Sequence, residues 1–244
     1  AIEPAAEYCT QLRQLTKDLG ILWIDDEVMV GIGRLGAWFA YQVHGHGATP
    51  DIMTIGKNVA SSQMPVGGIV VSKEIADFFG QNRWNTGGTF FAHPLVMAAV
   101  EANLDLMIED KVVEKAAKAG QYLGERLRRL QQRHKCVGQV SGSGCFWQIE
   151  LVKNRETREP FIKADRGTDV GGRLFSGWPS FTVSRRAAEK GVNIGPFPPN
   201  TVLVAPSYTV TQELMDMACN AVDYGLEALD AKCDEGVMSI GSTR

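Results

Sequence analysis

Two stretches of this sequence carry residue types that do covalent chemistry. The first, Asp51-Ile52-Met53-Thr54-Ile55-Gly56-Lys57-Asn58, is an apolar run that delivers one lysine to the edge of a glycine-containing turn. A lysine at the end of a buried strand is expected to lose hydration of its ammonium form, which makes a neutral, nucleophilic amine available near pH 7. Schiff-base chemistry needs such an amine. A lysine after glycine is more often a plain solvated loop residue, so Lys57 gains weight only from its company. The second stretch is Ile21-Leu22-Trp23-Ile24, four apolar residues that run into Asp25-Asp26-Glu27-Val28. Acids at the C-terminal end of a strand lie where open α/β sheets place their ligand chemistry.

Side chains alternate along a strand, so Asp26 and Val28 share one face while Asp25 and Glu27 take the other. One face then offers a carboxylate beside an apolar surface. A strand ending in acids also suits the magnesium site of a phosphate-loop ATPase, but that reading needs G-x-x-x-x-G-K-[ST], and Gly56-Lys57 is followed by Asn58 and lacks the upstream glycine. The set Asp26, Val28 and Lys57 better suits pyridoxal 5'-phosphate. A carboxylate against the pyridine nitrogen keeps it protonated, Val28 packs on the ring, and Lys57 holds the cofactor and then moves the substrate proton.

The elements that must position these residues alternate between helix and strand, which implies an α/β sheet. Helical spacing predicts a helix over 4–19 packed on one face, and Ile21–Ile24 reads as a strand covered on both sides. Gly67–Val71 reads as a further buried strand, with Ser72 capping a helix that runs through Phe79. Pro94 opens a helix, and a second follows with the stripe Val112, Ala116, Ala119, Leu123, Leu127 and Leu130. Beyond it the pattern becomes short strands at Val137–Val140, Cys145–Val152, Val192–Ile194 and Val202–Val204, with a helix near Thr182–Lys190. A turn is expected at Pro196–Pro199 and a long surface loop over 154–180. The last helix starts from a Thr209-x-x-Gln212 box and carries Leu214, Met217, Ala218, Ala221, Val222, Leu226 and Leu229 on one face.

The 244 residues hold a net charge of −3 and 44% hydrophobic residues. They give no basic footprint for nucleic acid or an anionic membrane, and small molecules are the expected partners. Five cysteines without C-x-x-C spacing suggest neither a disulfide framework nor a zinc site, and a reducing cytoplasm is expected. The two histidines of His44-Gly45-His46-Gly47 lack a third partner and read as loop.

The segments Leu22–Val28 with Gly31-Ile32-Gly33-Arg34-Leu35-Gly36, Pro50-Asp51-Ile52 through Gly56-Lys57, Gly88-Thr89-Phe90 and His93-Pro94 follow one another in an order that resembles the class III aminotransferases of the fold-type I pyridoxal-phosphate enzymes. The resemblance runs from about Glu7 to Asp230. It implies that Asp26 faces the pyridine nitrogen, Val28 stacks on the ring, Lys57 forms the Schiff base, and Thr89 reaches across a dimer interface to the cofactor phosphate of a neighbouring subunit. It also implies a preceding region with a phosphate-binding turn that nothing here matches. Met29 stands where several members have a glutamine, and Pro196–Pro199 stand where many have a carboxylate-binding arginine.

The fold expected from the resemblance is α/β fold-type I, with the C-terminal part of a large, mainly parallel domain over 1–110 and a linking helix over 111–134. A small α+β domain over 135–232 and a disordered tail over 233–244 complete it. The expected activity is amino-group transfer from an amine or ω-amino acid to a keto acid such as pyruvate, in a homodimer or higher homo-oligomer. An aminomutase of the glutamate-1-semialdehyde type, which Met64-Pro65-Val66-Gly67-Gly68 resembles, and a non-catalytic dimerising fragment are the alternatives. On its own the chain is expected to bind cofactor poorly and to be inactive.

Overall fold

A computed structural model describes residues 3–44, 47–162, 177–197 and 199–233. They form two compact units, Glu3–Lys118 and the chain from Ala119 onward, and the division falls inside a long helix. His46, most of the expected long loop and nearly all of the expected tail lie outside the described residues.

The first unit contains α1 (Tyr8–Asp18), β1 (Ile24–Asp26), α2 (Ala40–His44), β2 (Ile52–Gly56), β3 (Gly67–Val71), α3 (Lys73–Gln81), α4 (Pro94–Glu109) and the start of α5 (Val112–Arg133). Its three strands lie in the order β1-β2-β3. β1 and β2 are parallel, with Ile24 opposite Ile52, Asp25 opposite Met53 and Asp26 opposite Thr54. β3 returns antiparallel, pairing Gly56 with Gly67 and Ile52 with Val71. The parallel register begins at Asp51, whose Oδ2 accepts 2.8 Å hydrogen bonds from the Trp23 N–H and the Arg13 guanidinium. Burial pushes the Asp51 carboxyl up, but these donors outweigh it and hold the group below its ordinary value.

Several sequence expectations fail here for one reason. Ile21, Leu22 and Ile24 are 54%, 57% and 60% exposed, so the run is not covered on both sides, and only Ile24–Asp26 is strand. β3 is likewise largely exposed, and α1 buries only Thr16 while Leu15 and Leu19 face outward. Apolar patterning reports a propensity to be covered, and among the described residues of this unit no element covers those exposed side chains. The capping expectation holds: Ser72 Oγ accepts the Ile75 N–H at the start of α3.

The second unit has a complete core. β4 (Val137–Ser143), β5 (Phe146–Asn154), β8 (Thr201–Val204) and β7 (Gly195–Phe197) form an antiparallel sheet in the order β4-β5-β8-β7, and the short β6 (Glu159–Pro160) pairs with β5. Against it lie the rest of α5, α6 (Pro179–Glu189) and α7 (Gln212–Cys233). Leu123, Leu127, Ile149, Val183, Val202 and Leu226 are essentially sealed from water. Each such side chain contributes roughly 1.5–3 kcal/mol of burial. The expected strand Val192–Ile194 and turn Pro196–Pro199 are displaced, because Pro196 and Phe197 belong to β7. α7 starts at Gln212 with Thr211 Oγ1 accepting the Leu214 N–H, so the cap is Thr211 and not Thr209. Leu214 and Met217 of the expected stripe are exposed, and Met215 and Cys219 are buried in their stead.

His134 is buried at the end of α5, its Nδ1 2.7 Å from Asp230 Oδ2 and its Nε2 2.5 Å from Asp223 Oδ1, and Asp230 Oδ1 accepts the Cys136 N–H. His134, Cys136 and Asp230 are close enough to share a metal ion. Both imidazole nitrogens and both Asp230 oxygens are already engaged with protein groups, however, and burial drives the Cys136 thiol far upward and away from thiolate. The cluster reads as a polar staple between α5 and α7.

Two glycines of α5 show how closely helix and sheet approach. A Cβ on Gly120 would stand 2.3 Å from Gly144 O, and one on Gly124 would stand 2.4 Å from the Trp147 ring. Gly120→Ala should therefore destabilise the chain by about 1–3 kcal/mol in a urea titration. Gly80→Ala in α3, where nothing lies within 4 Å, should be neutral or stabilising by up to about 1 kcal/mol. Equal effects from the two substitutions would contradict this account of the packing.

Candidate active site

The parallel pairing of β1 with β2 brings Asp26 and Lys57 to the same end of the sheet. Asp26 is the last residue of β1, and Lys57 follows the last residue of β2. Asp26 Oδ1 accepts two hydrogen bonds, 2.8 Å from Thr54 Oγ1 and 3.1 Å from the Val28 N–H. Among the described residues, Oδ2 takes none. These two donors, the Val28 N–H first, together with the charge of Lys57, hold the Asp26 carboxyl below its ordinary value. It is an anion at neutral pH, exposed on the face away from the core.

The opposite face behaves differently, as strand alternation requires. Glu27 is fully buried, and its carboxylate accepts the Ala40 and Tyr41 N–H groups at 2.9 and 3.1 Å, holding the N-terminus of α2. Burial raises both the Asp25 and the Glu27 carboxyls, and the two share a hydrogen bond. Asp26 alone of the three acids is presented outward with its carboxyl held below its ordinary value.

Lys57 departs from expectation. It is exposed, so the premise that a buried strand strips water from its amine does not hold in this structure. Its backbone has φ 44°, the left-handed region that a non-glycine residue enters at a cost of about 1–3 kcal/mol. The strand therefore ends abruptly at Lys57 and continues as the 3-10 turn Lys57–Ala60, which buries Val59 and Ala60 and leaves the lysine outside. Asn103 of α4 fastens that turn. Its Nδ2 donates to the Asn58 and Val59 carbonyls, both at 3.1 Å, and its Oδ1 accepts from Ser61 Oγ at 2.6 Å.

Val28 sits beside Gly56, where an added Cβ would lie 3.5 Å from a Val28 methyl and 3.3 Å from the Val66 carbonyl. The absent side chain lets the strand end pass close under Val28. Asp26, Val28 and Lys57 are thus gathered at one strand end, and Thr89 is not among them. Thr89 is exposed in the turn before α4 and makes no hydrogen bond to the other three within the described chain. Thr54 and Asn103 were not singled out by sequence reasoning. The one available signal was an asparagine in mid-helix, where its propensity is poor; the pairing of Thr54 with Asp26 comes from strand register that the sequence does not display.

A charged carboxylate with one uncommitted oxygen, an apolar side chain and a primary amine together fit a flat, nitrogen-containing ring that carries an aldehyde. Within an α/β sheet, that is the setting of a pyridoxal phosphate-dependent enzyme. Residues 1–225 match the family Aminotransferase class-III. The chain belongs to this pyridoxal phosphate-dependent family. It is 31% identical over 221 residues to an uncharacterized aminotransferase of Schizosaccharomyces pombe, covering 90% of this chain and 47% of that protein. It is 38% identical over 171 residues to a putrescine–pyruvate aminotransferase of Pseudomonas aeruginosa, covering 69% of this chain and 36% of the relative. Among solved structures, an S-selective transaminase from Bacillus megaterium superimposes with a TM-score of 0.88 at 42% identity, over 95% of this chain and 48% of its own. The chain thus spans about half the length, or less, of the proteins it matches.

Asn103→Leu keeps the side-chain size but deprives the Lys57 turn of three hydrogen bonds. The cost should be about 1–3 kcal/mol in chemical denaturation, with faster amide exchange at Ser61, whose N–H bonds to Asn58 O. Unchanged exchange at Ser61 would show that Asn103 does not hold the turn.

Proposed function

We propose that this chain is part of an aminotransferase that moves an amino group from an amine or ω-amino acid to a keto acid such as pyruvate. One observation carries the reading: the uncommitted Asp26 Oδ2 stands at the same sheet end as Lys57, with Val28 in the turn just beyond β1, its N–H on Asp26 Oδ1 and its side chain beside Gly56. When bound, pyridoxal phosphate supplies the aldehyde that accepts the amino group and the ring that takes up electrons from the substrate carbon.

The chain's own residues have separate tasks in this reading. Asp26 would hold a proton on the pyridine nitrogen, and its carboxyl, held below its ordinary value, favours the anion that this task needs. Val28 would pack on one face of the ring and keep water from it. Lys57 Nζ would hold the cofactor aldehyde covalently and, once released by the incoming amine, would serve as the base that moves the substrate proton. The choice of an amine donor and pyruvate draws on relatives named for putrescine–pyruvate and taurine–pyruvate transfer.

Glu3–Lys118 is read as the C-terminal part of a large cofactor domain and the unit from Ala119 as the small domain. Thr89 is read as a phosphate contact made to a neighbouring copy in a homodimer or higher homo-oligomer. The exposed Phe90 and Phe91 beside it, 78% and 68% accessible, support a covered position in an assembly. No described helix is long and apolar enough to cross a membrane. A cytoplasmic placement is part of this reading, and among the described residues no disulfide joins any of the five cysteines.

Borohydride reduction in the presence of pyridoxal phosphate, followed by peptide mapping, tests the anchor. The pyridoxyl group should be found on Lys57. A label found instead on Lys73 or Lys111 would overturn the assignment.

A further inference from the structure

We infer that Thr54 is a positioning residue for this chemistry, acting through Asp26; the inference rests on the cofactor reading proposed above. A carboxylate at the exposed end of a strand is free to rotate about its side-chain bonds, and a rotating anion holds a ring nitrogen poorly. Asp26 is such a residue, since it ends β1 with its side chain outside the core. What stops the rotation is local. Thr54 lies directly opposite Asp26 in the parallel ladder, and its hydroxyl donates to Oδ1 at 2.8 Å. The Val28 N–H donates to the same oxygen at 3.1 Å. Two donors converging on Oδ1 restrain the carboxylate and leave Oδ2 as the oxygen with no protein donor among the described residues.

The strand pairing makes Thr54 well placed for this role. Its carbonyl accepts the Glu27 N–H at 3.0 Å, so the residue that orients the Asp26 side chain also holds the backbone on the other side of it. Glu27 is in turn fixed by the N-terminus of α2. The acid therefore stands between two backbone anchors, and the hydroxyl of Thr54 is the side-chain element of the clamp. Both donors also favour the ionised form of Asp26, as its depressed carboxyl records. A valine at this position would preserve the β-branched shape and the strand pairing and remove only the donor.

The test is a pH titration of the Asp26 side-chain carboxyl carbon by 13C NMR, assigned with Asp26→Asn, in the 244-residue chain with and without added pyridoxal phosphate. Thr54→Val should move the free-chain midpoint upward toward the ordinary carboxylate range, and Thr54→Ser, which keeps the donor, should return it. Added pyridoxal phosphate should shift the Asp26 signal in wild type and Thr54→Ser. The concentration needed should rise on the order of tenfold in Thr54→Val, the usual effect of one lost hydrogen bond to a charged group. An unchanged free-chain midpoint in Thr54→Val, or an identical response of wild type and Thr54→Val to the cofactor, would overturn the positioning role. If Thr54→Val shifts the free-chain midpoint but pyridoxal phosphate, raised until borohydride reduction labels Lys57, moves Asp26 in none of the proteins, the cofactor reading fails, and this inference fails with it.

Discussion

The parallel pairing of β1 with β2 is the constraint on which the candidate site depends. Neither strand carries the chemistry alone: one ends in the acid and the other in the amine, separated by some thirty positions of chain. Their register is set at Asp51, where one carboxylate oxygen accepts the Trp23 N–H and the Arg13 guanidinium and so ties the start of β2 to β1 and α1. From there Ile24 meets Ile52 and Asp26 meets Thr54. A slip of one residue would turn Asp26 into the core and put Asp25 or Glu27 in its place. The two inward acids resist such a slip, because Glu27 already holds the Ala40 and Tyr41 N–H groups and Asp25 is bonded to Glu27.

The same physics assigns opposite fates to three neighbouring carboxyls. Burial raises Asp25 and Glu27, while hydrogen bonds from the Val28 N–H and Thr54 hold Asp26 down. Lys57 is kept outside by a left-handed backbone turn whose next residues are buried and fastened by Asn103. Strain at one residue is offset by the packing of Val59 and Ala60 just beyond it, and that is how a lysine can follow a strand without entering the core.

Much of this was legible in the sequence. Strand alternation correctly separates Asp26 from Asp25 and Glu27, since it depends only on backbone geometry. The stripe of α5 and the Ser72 cap are local signals and reappear in the structure as read. The failures lie where neighbours decide. The runs at Ile21–Ile24 and Gly67–Val71 look buried by composition, yet Ile21, Leu22, Ile24, Ile69 and Val70 are exposed in this unit, and Lys57 looks desolvated by the same reasoning. Thr54 and Asn103 act through partners 28 and 42–45 positions away, a distance that no local pattern encodes.

The central claim is that Asp26, and neither of its neighbours, stands against the pyridine nitrogen. The 15N chemical shift of ring-labelled pyridoxal phosphate bound to Lys57 reports that contact directly, because it separates a protonated pyridine from a neutral one. The account predicts a protonated nitrogen at neutral pH in the wild-type protein and in Asp25→Asn, and a neutral one in Asp26→Asn. A nitrogen that stays protonated in Asp26→Asn, or loses its proton in Asp25→Asn, would contradict it.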